Sequence, residues 1–112
     1  MRDEGLRLER RDEGGRSVLE VTGELDATTV GRFDRSIEDA LDSSPTALLL
    51  DLRGVSFIDS MGLRSVVQAA SRASASSLPL RICPSPPVHR VLELTGLLDV
   101  LPLHDGGARG GT

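Results

Sequence analysis

Six residues near the middle of the chain, Ala47-Leu48-Leu49-Leu50-Asp51-Leu52, constrain the fold most. The run is bounded by Ser43-Ser44-Pro45 before it and Arg53-Gly54 after it. Apolar side chains at successive positions of so short a segment read as a strand buried on both faces, the pattern of a central parallel strand. Parallel neighbours require crossover connections, usually helices. Helical spacing does stand on both sides. Ahead of the run, Val30, Phe33, Ile37, Ala40 and Leu41 recur on one face, with Arg32, Asp34, Arg35, Glu38 and Asp39 opposite. Behind it, Leu63, Val66, Val67, Ala70 and Ala73 or Ser74 repeat the pattern.

The remaining segments fall into the same scheme. Leu6 and Leu8 alternate with charged residues, as in a half-exposed strand. Asp12-Glu13-Gly14-Gly15 is a turn, and Val18, Leu19 and Val21 form a second strand closed by Gly23, so the two make an antiparallel hairpin. Asp26 and Thr28 are candidate caps of the first helix. Arg53-Gly54 turns the chain before Val55-Ser56-Phe57-Ile58. Ser76-Ser77-Leu78-Pro79 stops the second helix, and Leu80–Cys83 is a strand. Ser85 and Pro86 open a third helix, with Val88, Val91, Leu92 and Thr95 on its inner face and Gly96 at its end. Val100-Leu101-Pro102-Leu103 reads as a short edge strand. The expected order is β-β-α-β-α-β-α-β. It describes an α/β fold with a mixed, mostly parallel sheet of four to five strands and right-handed crossovers. With 112 residues, one domain over residues 1–104 is expected, followed by a flexible Gly-rich tail at 105–112.

Several function classes are disfavoured. The net charge is −4, whereas phosphate contacts need a concentrated basic face, so no direct nucleic-acid binding is expected. Arg7, Arg10 and Arg11 are interleaved with Glu9, Asp12 and Glu13, which reads as a solvated hairpin surface. Cys83 is the only cysteine and is expected to be a small buried hydrophobe. No apolar stretch approaches the roughly 20 residues of a membrane span, and no signal peptide is evident, so a cytoplasmic protein without membrane contact is expected. His89 and His104 lie far from any Cys or Glu cluster, so no metal is expected, and no cofactor either. The chain lacks a Gly-x-Ser-x-Gly elbow, and without any lysine it has no phosphate-binding P-loop.

The segment that carries chemistry is Phe57-Ile58-Asp59-Ser60-Met61-Gly62-Leu63-Arg64. In parallel sheets, sites gather where strand C-termini feed helix N-termini. Asp59-Ser60 stands there. Ser60 is either the helix cap or a serine modified by another protein. A phosphate on it would gain from the helix dipole and add roughly −1.5 to −2 charges. Gly62 lets another backbone or a phosphate approach closely.

Asp51-Leu-Arg-Gly-Val-Ser-Phe-Ile-Asp59-Ser60-Met-Gly62-Leu63 resembles the signature of the STAS domain, and within it the bacterial anti-sigma factor antagonists. Gly23-Glu24-Leu25-Asp26 resembles the family's second landmark, and Thr95-Gly96-Leu97 its third. The resemblance spans residues 5 to 103. It implies a protein with no catalytic activity of its own. In that family the serine after the aspartate is phosphorylated by a serine kinase that is also the anti-sigma factor. The unphosphorylated antagonist binds that kinase and frees a sigma factor, and a PP2C-type phosphatase resets the switch. Carried over, Ser60 is the phospho-acceptor, Asp26 and Asp59 flank it, and Gly62 and Leu63 open the contact helix. Met61 stands where many members have Ser or Thr, and Arg64 replaces a common Gly. Met61 is either a partner contact or packs back on the loop; Arg64 either reaches the acidic rim or is solvated. Two other readings compete: a STAS accessory or scaffold subunit of a transport or stress-sensing complex without a Ser60 switch, and a magnesium enzyme using Asp26, Asp51 and Asp59.

Overall fold

The computed structural model describes residues 5–103. Its elements run β1 (Leu6–Glu13), β2 (Arg16–Leu25), α1 (Val30–Asp42), β3 (Ala47–Ile58), α2 (Ser60–Ala75), β4 (Leu80–Pro84) and α3 (Pro86–Leu94). The four strands form one sheet in the order β1-β2-β3-β4. β1 lies antiparallel to β2, while β2, β3 and β4 are parallel. The first two crossovers are helical, as the periodicity of residues 30–41 and 63–74 requires.

Register explains the core. Leu19 pairs with Leu50 and Leu50 with Ile82, so one row of aliphatic side chains crosses three strands. All three are fully buried, and Phe33, Ile37 and Ala40 of α1 and Val66, Ala69 and Ala73 of α2 join them in one cluster. Burying each large side chain stabilises the fold by roughly 1.5–3 kcal/mol. Neighbouring positions point to the opposite face. There Glu20 pairs with Asp51 and Asp51 with Cys83. That face is laced by ion pairs: Arg11 Nη1 to Glu20 Oε2 at 2.7 Å, Arg11 Nε to Glu13 Oε2 at 2.6 Å and Arg53 Nη2 to Asp51 Oδ2 at 2.9 Å. Asp51 is only 8% exposed, and the Arg53 guanidinium holds its carboxyl below the usual aspartate range. Cys83 is buried, which pushes its thiol up.

β1 is an edge strand whose charges pair along its own length: Arg7 with Glu9, Arg10 with Asp12 and Arg11 with Glu13. The hairpin surface is thus charged but internally balanced.

The expected turn at Arg53-Gly54 does not occur. β3 runs straight through it to Ile58, and the β2–β3 register shifts between Glu20 and Thr22. Gly54 lies so close to Thr22 that an added Cβ would come within 2.9 Å of Thr22 Oγ1. The glycine serves a strand irregularity rather than a turn. β2 likewise continues past Gly23 to Leu25, with a second shift there. The strand expected at Val100–Leu103 reduces to a single parallel bridge, Ile82 with Leu103. Ser85 does cap α3, accepting from Val88 N at 3.3 Å, with Pro86 in the first helical position. The tail expected at 105–112 lies outside the described residues.

Candidate functional site

β3 and β2 end side by side, Ile58 paired with Leu25. The segments leaving the two strands therefore meet at one edge: α2 after β3, and the 26–29 loop after β2. Asp59 joins the two. It stands in extended backbone as the N-cap of α2, and its Oδ1 accepts from Gly62 N at 2.9 Å. Its Oδ2 accepts from Ala27 N at 3.2 Å, across 32 residues of sequence. Its own N–H donates to Leu25 O at 3.2 Å. One carboxylate thus satisfies an amide of the helix end and fastens the neighbouring loop.

The cap being Asp59, Ser60 is left over. It occupies the first helical position, is exposed, and its hydroxyl makes no hydrogen bond among the described residues. The helix-cap reading of Ser60 is thereby corrected: the capping carboxylate is one residue earlier, where the backbone is extended. α2 has no acidic residue in its first turn, so the partial positive charge at its start is unmet there by any carboxylate except the cap.

Gly62 is buried. A Cβ there would run into the Leu25 carbonyl oxygen and stand 3.0 Å from Ile58 Cγ1. Of the two approaches the sequence left open, a backbone makes this one: the glycine lets α2 start directly against the end of β2.

Asp26 faces the same edge from the loop. Its Oδ1 accepts from Thr28 Oγ1 at 2.7 Å and Thr28 N at 3.0 Å. The Thr28 hydroxyl, first among its partners, holds the Asp26 carboxyl below the usual range. Neither Asp26 nor Thr28 caps α1; Thr29 precedes the helix without a side-chain cap, its hydroxyl donating to Glu24 O at 2.9 Å instead. Leu63 is half-buried against the core. Met61 is 42% exposed. Arg64 is exposed and forms no ion pair among the described residues.

Thr95-Gly96-Leu97 closes α3, with Thr95 Oγ1 donating to Val91 O at 2.7 Å and Leu97 N to Leu92 O at 2.8 Å. The three aspartates of the enzyme reading do not gather. Asp51 is committed to Arg53, and among the described residues no three His, Cys, Asp or Glu side chains form a group able to hold a metal. One residue escaped the sequence reading: Phe57 is 50% exposed, while the other phenylalanine, Phe33, is fully buried. Plain alternation misleads here, because Val55 two positions earlier is buried; the β2–β3 register shifts between these residues, Gly23 pairing with Val55 but Glu24 with Phe57, and past that irregularity Phe57 stands outside the core.

Comparison with known proteins identifies the family. The STAS domain family model matches residues 7–106. An anti-sigma-F factor antagonist of Mycobacterium tuberculosis is 33% identical over 107 residues, covering 89% of this chain and 87% of that protein. An anti-sigma F factor antagonist of Paenibacillus polymyxa is 26% identical over 102 residues, with the same coverage. The crystal structure of an anti-sigma factor antagonist from Mycobacterium paratuberculosis superposes with a TM-score of 0.78 at 28% identity, covering 93% of this chain and 89% of that one. A family model that matches residues 7–106 and a relative 33% identical across most of both chains show where it falls: the chain belongs to the STAS domain family, alongside proteins named anti-sigma factor antagonists.

Proposed function

We propose that this protein is an anti-sigma factor antagonist switched by phosphorylation of Ser60. Unphosphorylated, it binds an anti-sigma factor that is also a serine kinase, and so frees a sigma factor in the cytoplasm. Phosphorylated, it releases that partner until a PP2C-type phosphatase restores the serine. The domain is a substrate and a switch, without catalysis of its own. The observation that carries this reading is the division of labour between neighbours: Asp59 does the capping, so the exposed Ser60 hydroxyl is free for chemistry.

The physics of the switch is local. A phosphate on Ser60 sits at the start of a 16-residue helix, where backbone N–H groups and the dipole favour an anion. The fold therefore tolerates it. A partner does not, because the dianion lies beside the Asp59 and Asp26 carboxylates and is costly to desolvate in an interface. A loss of about 3 kcal/mol weakens a complex more than a hundredfold. Asp26, Asp59, Met61, Leu63 and Arg64 surround the serine as contact residues, and Gly62 contributes through its backbone.

The test uses two baits, Ser60→Ala and Ser60→Asp, in extract of the source cell, with mass spectrometry of what each retains. The alanine bait is expected to hold a small ATP-binding kinase that the aspartate bait loses. Equal retention of one partner by both baits sinks the switch.

A further inference from the structure

Phe57 and Met61 bracket Ser60 in the chain, three residues before and one after. Both are large apolar side chains left in the open, 50% and 42% exposed. For Phe57 the sheet explains why. The β3–β4 ladder ends at Leu52 with Pro84, so the last six residues of β3 have no strand on that side. On the other side its partner is Glu24, itself exposed. No core function accounts for an aromatic at this strand end, and the backbone there needs none.

Chain geometry bounds how far they lie from Ser60. Consecutive Cα atoms are 3.8 Å apart, so Phe57 lies within about 11 Å of Ser60 and Met61 within about 4 Å. A specific protein interface buries roughly 800 Å² on each partner, a patch about 30 Å across. Both side chains therefore lie within reach of an interface centred on the Ser60 hydroxyl. Buried aromatics are the residues that most often dominate such interfaces.

We infer that Phe57, seconded by Met61, is the apolar docking anchor for the kinase that phosphorylates Ser60, and that this kinase carries an apolar pocket beside its active site. The inference rests on the proposed phospho-switch and adds to it the residue that sets partner affinity. Phe57 touches no reacting atom; it holds the substrate protein to its kinase.

The experiment is a rate measurement. Purified chain is incubated with ATP and extract of the source cell, and phosphate on Ser60 is followed by mass spectrometry over a range of chain concentrations. Phe57→Ser is expected to raise KM about tenfold or more with kcat little changed. Met61→Ser raises it less, and Phe57→Leu, which keeps an apolar side chain, stays within about threefold of the parent. Thermal melts of each variant show that the fold survives, and Met61→Ser stands in should Phe57→Ser fail to fold. Equal KM for the parent and the serine variants overturns the inference while leaving the phospho-switch intact. So does a fall in kcat at unchanged KM. Absence of phosphate on Ser60 in the parent protein overturns both.

Discussion

Two glycines stand in the first turns of two helices, and the same substitution should move stability in opposite directions at them. Gly31 in α1 has nothing within 4 Å of where a Cβ would sit. Alanine there gains only the usual helix preference, about 0.5 kcal/mol at a first-turn site. Gly62 in α2 has no such room: the new methyl meets the Leu25 carbonyl oxygen and Ile58 Cγ1. The first of these is backbone at the end of β2, so relief requires moving a strand end or a helix. Overpacking of this kind costs about 1–3 kcal/mol. Sliding α2 away also stretches the Gly62 N to Asp59 Oδ1 bond, a cap worth about 1 kcal/mol. Set against the helix gain, Gly62→Ala should destabilise by about 1.5–3.5 kcal/mol. For a domain of this size that lowers the melting temperature on the order of 10 °C. Urea titrations of both variants, fitted with a common m-value, measure it. A Gly62→Ala protein as stable as its parent refutes the reasoning, because the helix start would then have slack that the contacts deny.

The same geometry sets three further outcomes. Asp59→Ala removes the cap and the tie to Ala27 together and should cost about 1–2 kcal/mol in urea unfolding, whereas Asp59→Asn keeps one acceptor oxygen and should lose less. Ser60→Ala, by contrast, should stay within about 0.5 kcal/mol of the parent in the same titration, since its hydroxyl bonds to nothing among the described residues. Arg53→Ala should reduce stability more at pH 7 than at pH 3: the Asp51 carboxyl is held low in the fold, so its partnership contributes above the ordinary aspartate pKa of about 3.9 and fades as pH falls through the lower folded value. A stability difference that stays constant from pH 3 to pH 7 would rule this out.

Where local chemistry and tertiary structure agreed, the sequence was enough. Ser85-Pro86 opens α3 and Ser43 ends α1, as their side chains dictate. The apolar run 47–52 is the central strand its composition demands. Two misreadings share one cause: glycine marks either a turn or a close approach, and sequence alone cannot tell which. At Gly54 and Gly23 the close approach won, because β2 and β3 lie together and continue to Ile58 and Leu25. The helix cap beside the candidate site was legible to within one residue. Asp59 and Ser60 are adjacent potential caps, and only the backbone decides that the extended one accepts from Gly62. Phe57 hid in an apolar stretch whose outward turn depends on strand register. The part of Leu25 was invisible, since it acts through its carbonyl and any residue has one.

Under the proposed function the protein occupies a partner molecule for molecule, and would have to accumulate to the level of what it titrates. Crowding of that kind punishes a bare sheet edge, where unpaired N–H and C=O groups invite another copy to add a strand. β1 is such an edge, and its three same-strand ion pairs answer the hazard. Stacking a second β1 against it would desolvate six charges already matched at home, with no net charge to recruit a counterpart. The matched charges of β1 thus disfavour edge-to-edge pairing of copies.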